Sequence, residues 1–536
     1  MRGKNLALLF LLGAGLLYVG LSPGVYRSMG YIQEEVQATR SILAHADLYP
    51  RQAEAFAWPR NGLVSILVHF PFVALGHLVF GQDAYFEDWV LSFEPILFTV
   101  GTLAILFLWI RRLTGSEGWA FLLSAATAFG TMFWPYAYIG LEVQQGFFLL
   151  LSGFIAFEHN RSRTWPRVIL FALCCAIAVS AKTAGTVLLP VTALMIWGYF
   201  RSDHSRRIAR SEYLKLVVTI LLIALVYEAN SRLQMKFWDQ WGGNRAYLLF
   251  WMVKDPISYV MNVIAFLGSP NKGLIVFAPL AILSILAIPG AWKERWEVAA
   301  FSLFAFLFPL LGFSLLIPWT DENWGPRYLY SSIAPLVLCL ALVHGRKPFR
   351  ARREAPLLAA LVFGMFVSFL GAAFSYGALH RVAQQTTQST LETLQGDPVW
   401  NHVKFNARLL QVWVASHWGN STVWKPYHHW YFSVPDDAPR LKAFDLREVM
   451  EPQAVLVRTW PGSADGRPPR MLWIFHLTAF VLGVILLLTG AMRLYRRPSL
   501  FEEWSEAAEE PLMAEAPAGP GSAAVLSGEP TGDERS

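Results

Sequence analysis

Charge is scarce in this chain: of 536 residues 15% are Asp, Glu, Lys or Arg and 55% are hydrophobic, whereas soluble domains carry about 25% charged residues. Cysteine is scarcer still, with Cys174 and Cys175 adjacent in one apolar stretch and Cys339 in another. Three such residues exclude a disulfide framework, and no CxxC spacing offers a metal site. HExxH is absent too, and adjacent His428 and His429 do not converge on one helix face. There is no long basic stripe: the net charge is +6, but Lys and Arg sit in short loops between apolar runs. That distribution is the positive-inside pattern of a membrane protein and excludes nucleic acid as a partner. No small-x-small cleavage site follows the apolar run from Asn5 to Leu21, so it reads as an uncleaved anchor. No internal repeat is visible, and with it the inverted-repeat signature of a secondary transporter is missing.

What the chain has in abundance is apolar stretches near 20 residues, enough for about 30 Å of hydrocarbon each. The expected fold class is an all-α polytopic membrane protein with about 12 transmembrane helices, outer-face juxtamembrane helices and a C-terminal extracytoplasmic region. Charge sets the direction. With the first basic residues, Arg2 and Lys4, inside, Arg111-Arg112, Arg161 to Arg163, Arg201 to Lys215, Lys293 to Arg295, His344 to Arg353 and Arg493 to Arg497 all fall inside under one topology. This works only if residues 62–80, interrupted by Pro71, His69 and His77, lie on or dip into the outer leaflet instead of crossing. The expected organisation is a membrane domain over 1–345 with a first outer loop at 23–87 and a further span within 346–376. An extracytoplasmic region follows at 377–470, then a last span at 471–492 and a cytoplasmic tail at 493–536. The tail is rich in Glu, Ala, Pro and Gly without apolar periodicity, a disordered composition. Both termini are expected in the cytoplasm.

Ionisable residues at span ends carry the functional signal. In the first outer loop Ile32, Val36 and Leu43 fall near one helix face and Glu34, Glu35 and Arg40 elsewhere, a surface helix that presents carboxylates. A carboxylate there can act as general base towards a hydroxyl; a solvated acidic face is the alternative. Lys182 stands between two apolar runs, suited to a lipid phosphate or to snorkelling. Glu142 begins a span just after the aromatic cluster Phe133 to Tyr138. The densest polar and aromatic segment, Pro318 to Tyr328, holds Asp321, Glu322, Trp319, Trp324, Arg327 and Tyr328. Arg327 brings a planar donor fork for phosphate. Arg245 and Lys272 lie in the glycine-bearing stretches Trp241 to Tyr247 and Ser269 to Gly273.

The order of these pieces resembles the GT-C superfamily of membrane glycosyltransferases. They are an acidic first loop with a surface helix, Asn61-Gly-Leu leading to Phe70-Pro71, Ala-Lys182-Thr, Ser-Pro-Asn-Lys272-Gly273-Leu and Trp324-Gly-Pro-Arg327-Tyr328. The chain looks most like the bacterial branch of protein O-mannosyltransferases and lipid A aminoarabinose transferases. The resemblance covers roughly residues 1–345. It implies an inverting transfer of a sugar from a polyprenyl-phosphate carrier to a lipid, glycan or protein acceptor at the outer face of the bacterial inner membrane. It implies Glu35 or Glu34 as base, with Glu35 favoured, and Lys182 and Arg327 as holders of the carrier phosphate. Tyr328, Glu142, Asp321, Glu322, Arg245 and Lys272 complete the expected substrate-binding set. No cofactor and no specific metal ligands are expected, and a divalent metal requirement stays open. One departure stands out. The family's Asp-Glu pair about ten residues before Ser-Leu would fall on Tyr31-Ile32, and Glu34-Glu35 come one helical turn later. A non-catalytic assembly protein with the same fold and a lipid or solute transporter are the other readings.

Overall fold

A computed structural model of the protein describes residues 4–24, 36, 38–43, 62–81, 84–140, 142–158, 163–181, 185–201, 212–240, 255–316, 324–345, 347, 349–374, 401–418 and 470–496. In chain order the helices are α1 (Lys4–Leu21), α2 (Leu63–Phe80), α3 (Ala84–Leu91), α4 (Phe93–Thr114), α5 (Glu117–Gly130) and α6 (Phe133–Ile139). Then come α7 (Val143–Phe157), α8 (Trp165–Ser180), α9 (Leu189–Phe200), α10 (Tyr213–Gln240), α11 (Pro256–Gly268) and α12 (Leu274–Phe277). The last are α13 (Pro279–Glu294), α14 (Trp296–Leu316), α15 (Tyr330–His344), α16 (Ala355–Ala373), α17 (His402–Trp418) and α18 (Arg470–Arg496).

The protein is an all-α polytopic membrane protein. Seven described helical stretches are long and apolar enough to cross a membrane, and five shorter apolar helices accompany them. Helices suit this medium because every backbone group is satisfied inside its own segment. Several hydroxyls in the helices follow the same rule: Thr99, Thr102, Thr114 and Thr127 each donate to the carbonyl four residues back. Where helices end, local chemistry closes them. Gly115 caps α4 in the left-handed region, and Ser116 accepts from the Trp119 amide to open α5. Between the apolar stretches, α10 runs on to Gln240 and α11 occupies Pro256–Gly268.

The core centres on α15, whose span is 89% buried, packed by α4, α5, α7, α13 and α14. At the edge α1 and α18 pair closely, so the first and last described helices meet in one seam. Gly13, Gly20 and Gly483 line it, and a Cβ at Gly20 would stand 2.5 Å from the Phe480 backbone.

The bundle has two chemically different ends. At one end the basic residues gather and bind neighbouring helix ends. Arg112 donates to the Glu158 carbonyl, Arg295 pairs with the Glu158 carboxylate, Arg201 pairs with Glu297, and Arg163 donates to the Tyr199 and Arg201 carbonyls. Glu354 takes both His344 and Arg353 there. At the opposite end the ties are amides and buried carboxylates. Asn230 accepts from the Val64 amide and donates to the Ser180 carbonyl, both at 2.9 Å. Gln145 donates to the Ala178 carbonyl at 3.1 Å.

The ties of helix α2 at Val64, His69 and Gly76 lie at that second end. The helix folds back antiparallel on α3 and the start of α4, with Gly76 against Glu87 and His69 against Glu94. Its first turn is fixed by Asn230. These ties hold it along the part of α3–α4 farthest from Arg111 and Arg112. Its other face is greasy, with Leu67, Leu75, Leu78 and Val79 at least half exposed.

Candidate functional site

The segment that leads into α7 is under backbone strain. α6 ends at Gly140 in the left-handed region (φ 76°), and two residues later Glu142 takes φ 58° as the N-cap of α7. Among the described residues Glu142 is the one non-glycine with positive φ. Such a conformation costs about 1–3 kcal/mol and persists where the surroundings over-determine it. The side chain is 1% exposed and faces Arg327, with Nε 3.9 Å from Oε1. That separation makes a charge contact, not a forked pair of hydrogen bonds.

Arg327 reaches this position because of the residues before it. Gly325 sits at φ 62°, where a Cβ would meet Phe277 at 2.8 Å and the Met132 sulfur at 2.9 Å. Only glycine supplies both the turn and the room. Trp324 is fully buried and its carbonyl accepts from Tyr136 Oη of α6 at 2.9 Å. The 3-10 turn Arg327–Leu329 then lifts the chain into α15. The guanidinium lies 4.5 Å from the Tyr328 ring centroid and donates to its hydroxyl. Tyr328 itself stacks on Phe313 of α14 at 4.6 Å. The cation is therefore held by stacking and by one buried carboxylate, at the end of the bundle away from the basic clusters.

Beside it lies a second polar cluster. Glu94, fully buried at the start of α4, accepts from Gln144 of α7 on one oxygen and meets His69 Nδ1 of α2 on the other. Gln144 stands two residues after Glu142, so both clusters meet in the first turn of α7. The amide end of that helix favours negative charge, and a guanidinium next to it makes the place suited to an anion.

Of the expected site residues, the structure brings together Glu142, Arg327 and Tyr328. Lys272 is buried at the corner between α11 and α12, a tight turn in which the Gly273 amide bonds Ser269 O at 2.6 Å and Asn401 of the segment before α17 bonds Asn271. Glu34, Glu35, Lys182, Asp321, Glu322 and Arg245 lie outside the described residues. Their described neighbours are anchored at the site end. After Glu35, Val36 is buried, and Arg40 pairs with Glu87 at 2.6 Å and Asp88 at 3.2 Å. Just before Lys182, the Ala178 and Ser180 carbonyls are taken by Gln145 and Asn230. Among the described residues no group of three or more His, Cys, Asp or Glu could hold a metal ion.

Glu94, Gln144 and Asn230 escaped the sequence reading. Glu94 carried a usable signal, an acid within the apolar stretch Trp89 to Ile110. His69 was read only as weakening a span. The two amides carry no charge and gave no signal.

No protein-family model and no curated protein matches the chain. Among solved structures it is similar to ArnT from Cupriavidus metallidurans in the apo state, with 13% identity, TM-score 0.44 and coverage of 93% of this chain and 78% of that one. The same protein bound to undecaprenyl phosphate gives 14% identity, TM-score 0.45 and coverage of 96% and 81%. The archaeal oligosaccharyltransferase AglB from Archaeoglobus fulgidus, in complex with an inhibitory peptide and a dolichol-phosphate, gives 12% identity, TM-score 0.42 and coverage of 73% and 59%.

Proposed function

We propose that the chain is a membrane glycosyltransferase that moves a sugar from a polyprenyl-phosphate carrier to an acceptor hydroxyl at the outer face of a bacterial inner membrane. The observation that carries this reading is the buried Arg327–Glu142 pair at the start of α7. A guanidinium at such a place suits a phosphate, and a lipid phosphate at headgroup depth is the anion that medium supplies. The gathering of Arg112, Arg163, Arg201, Arg295 and Arg353 at the far end supports assigning that end to the cytoplasm, and with it a proposed topology with both termini inside and the site outside.

In the proposed reaction the acceptor oxygen attacks the sugar C1 from the face opposite the phosphate. The C1–O bond to the phosphate breaks, and its electron pair leaves with the polyprenyl phosphate. The hydroxyl proton passes to a carboxylate base, for which Glu35 and then Glu34 of the first loop are proposed. Arg327 stabilises the charge that grows on the leaving phosphate, and Lys182 is proposed to share it. Arg40, bound to Glu87 and Asp88, anchors the described end of that first-loop helix. The acceptor is a lipid, glycan or protein hydroxyl.

The test uses the full chain in nanodiscs containing undecaprenyl phosphate. Wild type should bind it, and Arg327→Ala should weaken binding by at least about tenfold, the scale of a buried charge-assisted hydrogen bond. Equal binding by the two proteins would sink the phosphate assignment. Turnover of a carrier-linked sugar by wild type, lost in Glu34→Gln with Glu35→Gln, separates the enzyme from a non-catalytic protein of the same fold.

A further inference from the structure

We propose that Glu94 is a positioning residue for the anion site. Held between His69 and Gln144, it fixes the first turn of α7, and with it the Glu142 carboxylate that faces Arg327. The inference rests on the proposed carrier-phosphate reading and adds to it three residues that reading does not use.

The argument begins with position. Glu94 is fully buried, His69 is 2% exposed, and the two sit on different helices that only the fold brings together. Burying a carboxylate is costly, and well-packed apolar residues would fill such a place at least as stably. A buried polar cluster fixes geometry more sharply than an apolar contact does, because hydrogen bonds have direction. The thing in need of fixing is close by. Glu142 holds a strained left-handed conformation, and nothing in an αL residue's own preferences keeps it there. The chain just beyond it must hold it. Gln144 is that chain: its side chain is tied to Glu94, and the next residue, Gln145, is tied to the Ala178 carbonyl of α8. The two amides fasten the start of α7 to α4 on one side and to α8 on the other. If the tie to Glu94 is cut, Glu142 is free to relax, and Arg327 loses the partner that orients it.

His69 closes the arrangement from α2. It joins the surface hairpin to the same carboxylate, so docking of that hairpin and the geometry of the anion site depend on one residue.

Charge and geometry can be separated at Glu94. A glutamine there can accept from Gln144 through its oxygen and donate to His69 Nδ1 in the other tautomer. It keeps the ties and loses the charge. Leucine loses both. In nanodiscs with undecaprenyl phosphate, Glu94→Leu should weaken carrier-phosphate binding by about tenfold, the scale of one buried hydrogen bond lost with its partner stranded. Glu94→Gln should stay within about threefold of wild type, a margin smaller than one hydrogen bond. In turnover the Leu variant should show a raised KM for the carrier and a kcat within about threefold, because Glu94 touches no reacting atom. A loss of folded protein alone would lower kcat and leave KM in place. Should Glu94→Leu fail to fold, an exchange decides. Gln144→Glu sets two carboxylates side by side and should weaken binding, and adding Glu94→Gln should restore it. Unchanged binding in Glu94→Leu, a Gln variant as weak as the Leu variant, or no rescue in the exchange would each overturn the inference. If wild type does not bind undecaprenyl phosphate, or Arg327→Ala binds as well, the functional reading has failed instead.

Discussion

At the scale of single residues the site is a balance between one cation and one strained carboxylate. Glu142 is 1% exposed and Arg327 9%, so removing one charge takes a buried partner from the other, a loss of roughly 3 kcal/mol. Glu142→Gln should therefore lower the thermal midpoint of the protein in detergent. Added undecaprenyl phosphate should raise the midpoint less in this variant than in wild type, since Glu142 is the carboxylate that orients Arg327 for the lipid phosphate. An equal shift in both proteins would show that the phosphate does not reach Arg327. Arg327→Lys is not a mild change here. Lysine keeps the charge but cannot spread a planar group over the Tyr328 ring, so carrier binding should fall nearly as far as in Arg327→Ala.

At the scale of elements the informative piece is α2. It is long and apolar enough to cross a membrane, and hydropathy alone would count it as a span. Asn230, Glu94 and Glu87 all belong to the end of the bundle opposite the basic clusters. The helix from Glu94 to Arg112 is about 27 Å long at a rise of about 1.5 Å per residue. That length nearly fills a hydrocarbon core of about 30 Å, so Glu94 and Arg112 mark the two ends of the stretch that such a core would take. α2 passes the level of Glu94 and continues along α3, away from Arg112. Single cysteines placed at Asp83 and Arg51 should therefore label from the same, outer side of sealed vesicles; labelling from opposite sides would reverse the topology. Asn230 joins the start of α2 to the end of α8 through two buried hydrogen bonds. Asn230→Leu strands the Val64 amide and the Ser180 carbonyl, and should cost about 1–3 kcal/mol in thermal or denaturant unfolding. An unchanged midpoint would mean that the two helices are joined by packing alone.

For the whole molecule, the first and last helices close the body along one seam. α1 and α18 approach so closely at Gly13, Gly20 and Gly483 that a side chain meets backbone. Small residues in a membrane interface act through close packing of the backbones, since lipid offers no hydrophobic drive between helices. Gly20→Leu should separate the pair, seen as loss of a disulfide engineered between α1 and α18 and as a broadened elution profile in detergent. Retention of the crosslink would show that the seam tolerates bulk. The resemblance seen in the sequence covers residues 1–345, yet α16 packs on α5 and α6, and α18 on α1. The helices beyond 345 belong to the same helical body.

The sequence by itself determined the class of the protein, the positions of most helices and the likeness of their basic ends. Those properties follow from composition and run length, which act locally and survive without knowledge of contacts. It also singled out Glu142, Arg327 and Tyr328, because charge and aromatic residues at a span boundary are rare enough to stand out. Only the tertiary structure decided that Glu142 faces Arg327 across 185 positions of chain, that the φ of Glu142 is left-handed, and that α2 packs on α3. It alone joined His69, Glu94 and Gln144. Each of these depends on which helices are neighbours, and helix adjacency in a bundle is set by the packing of whole faces, to which any single polar residue contributes too little to be read from its place in the chain.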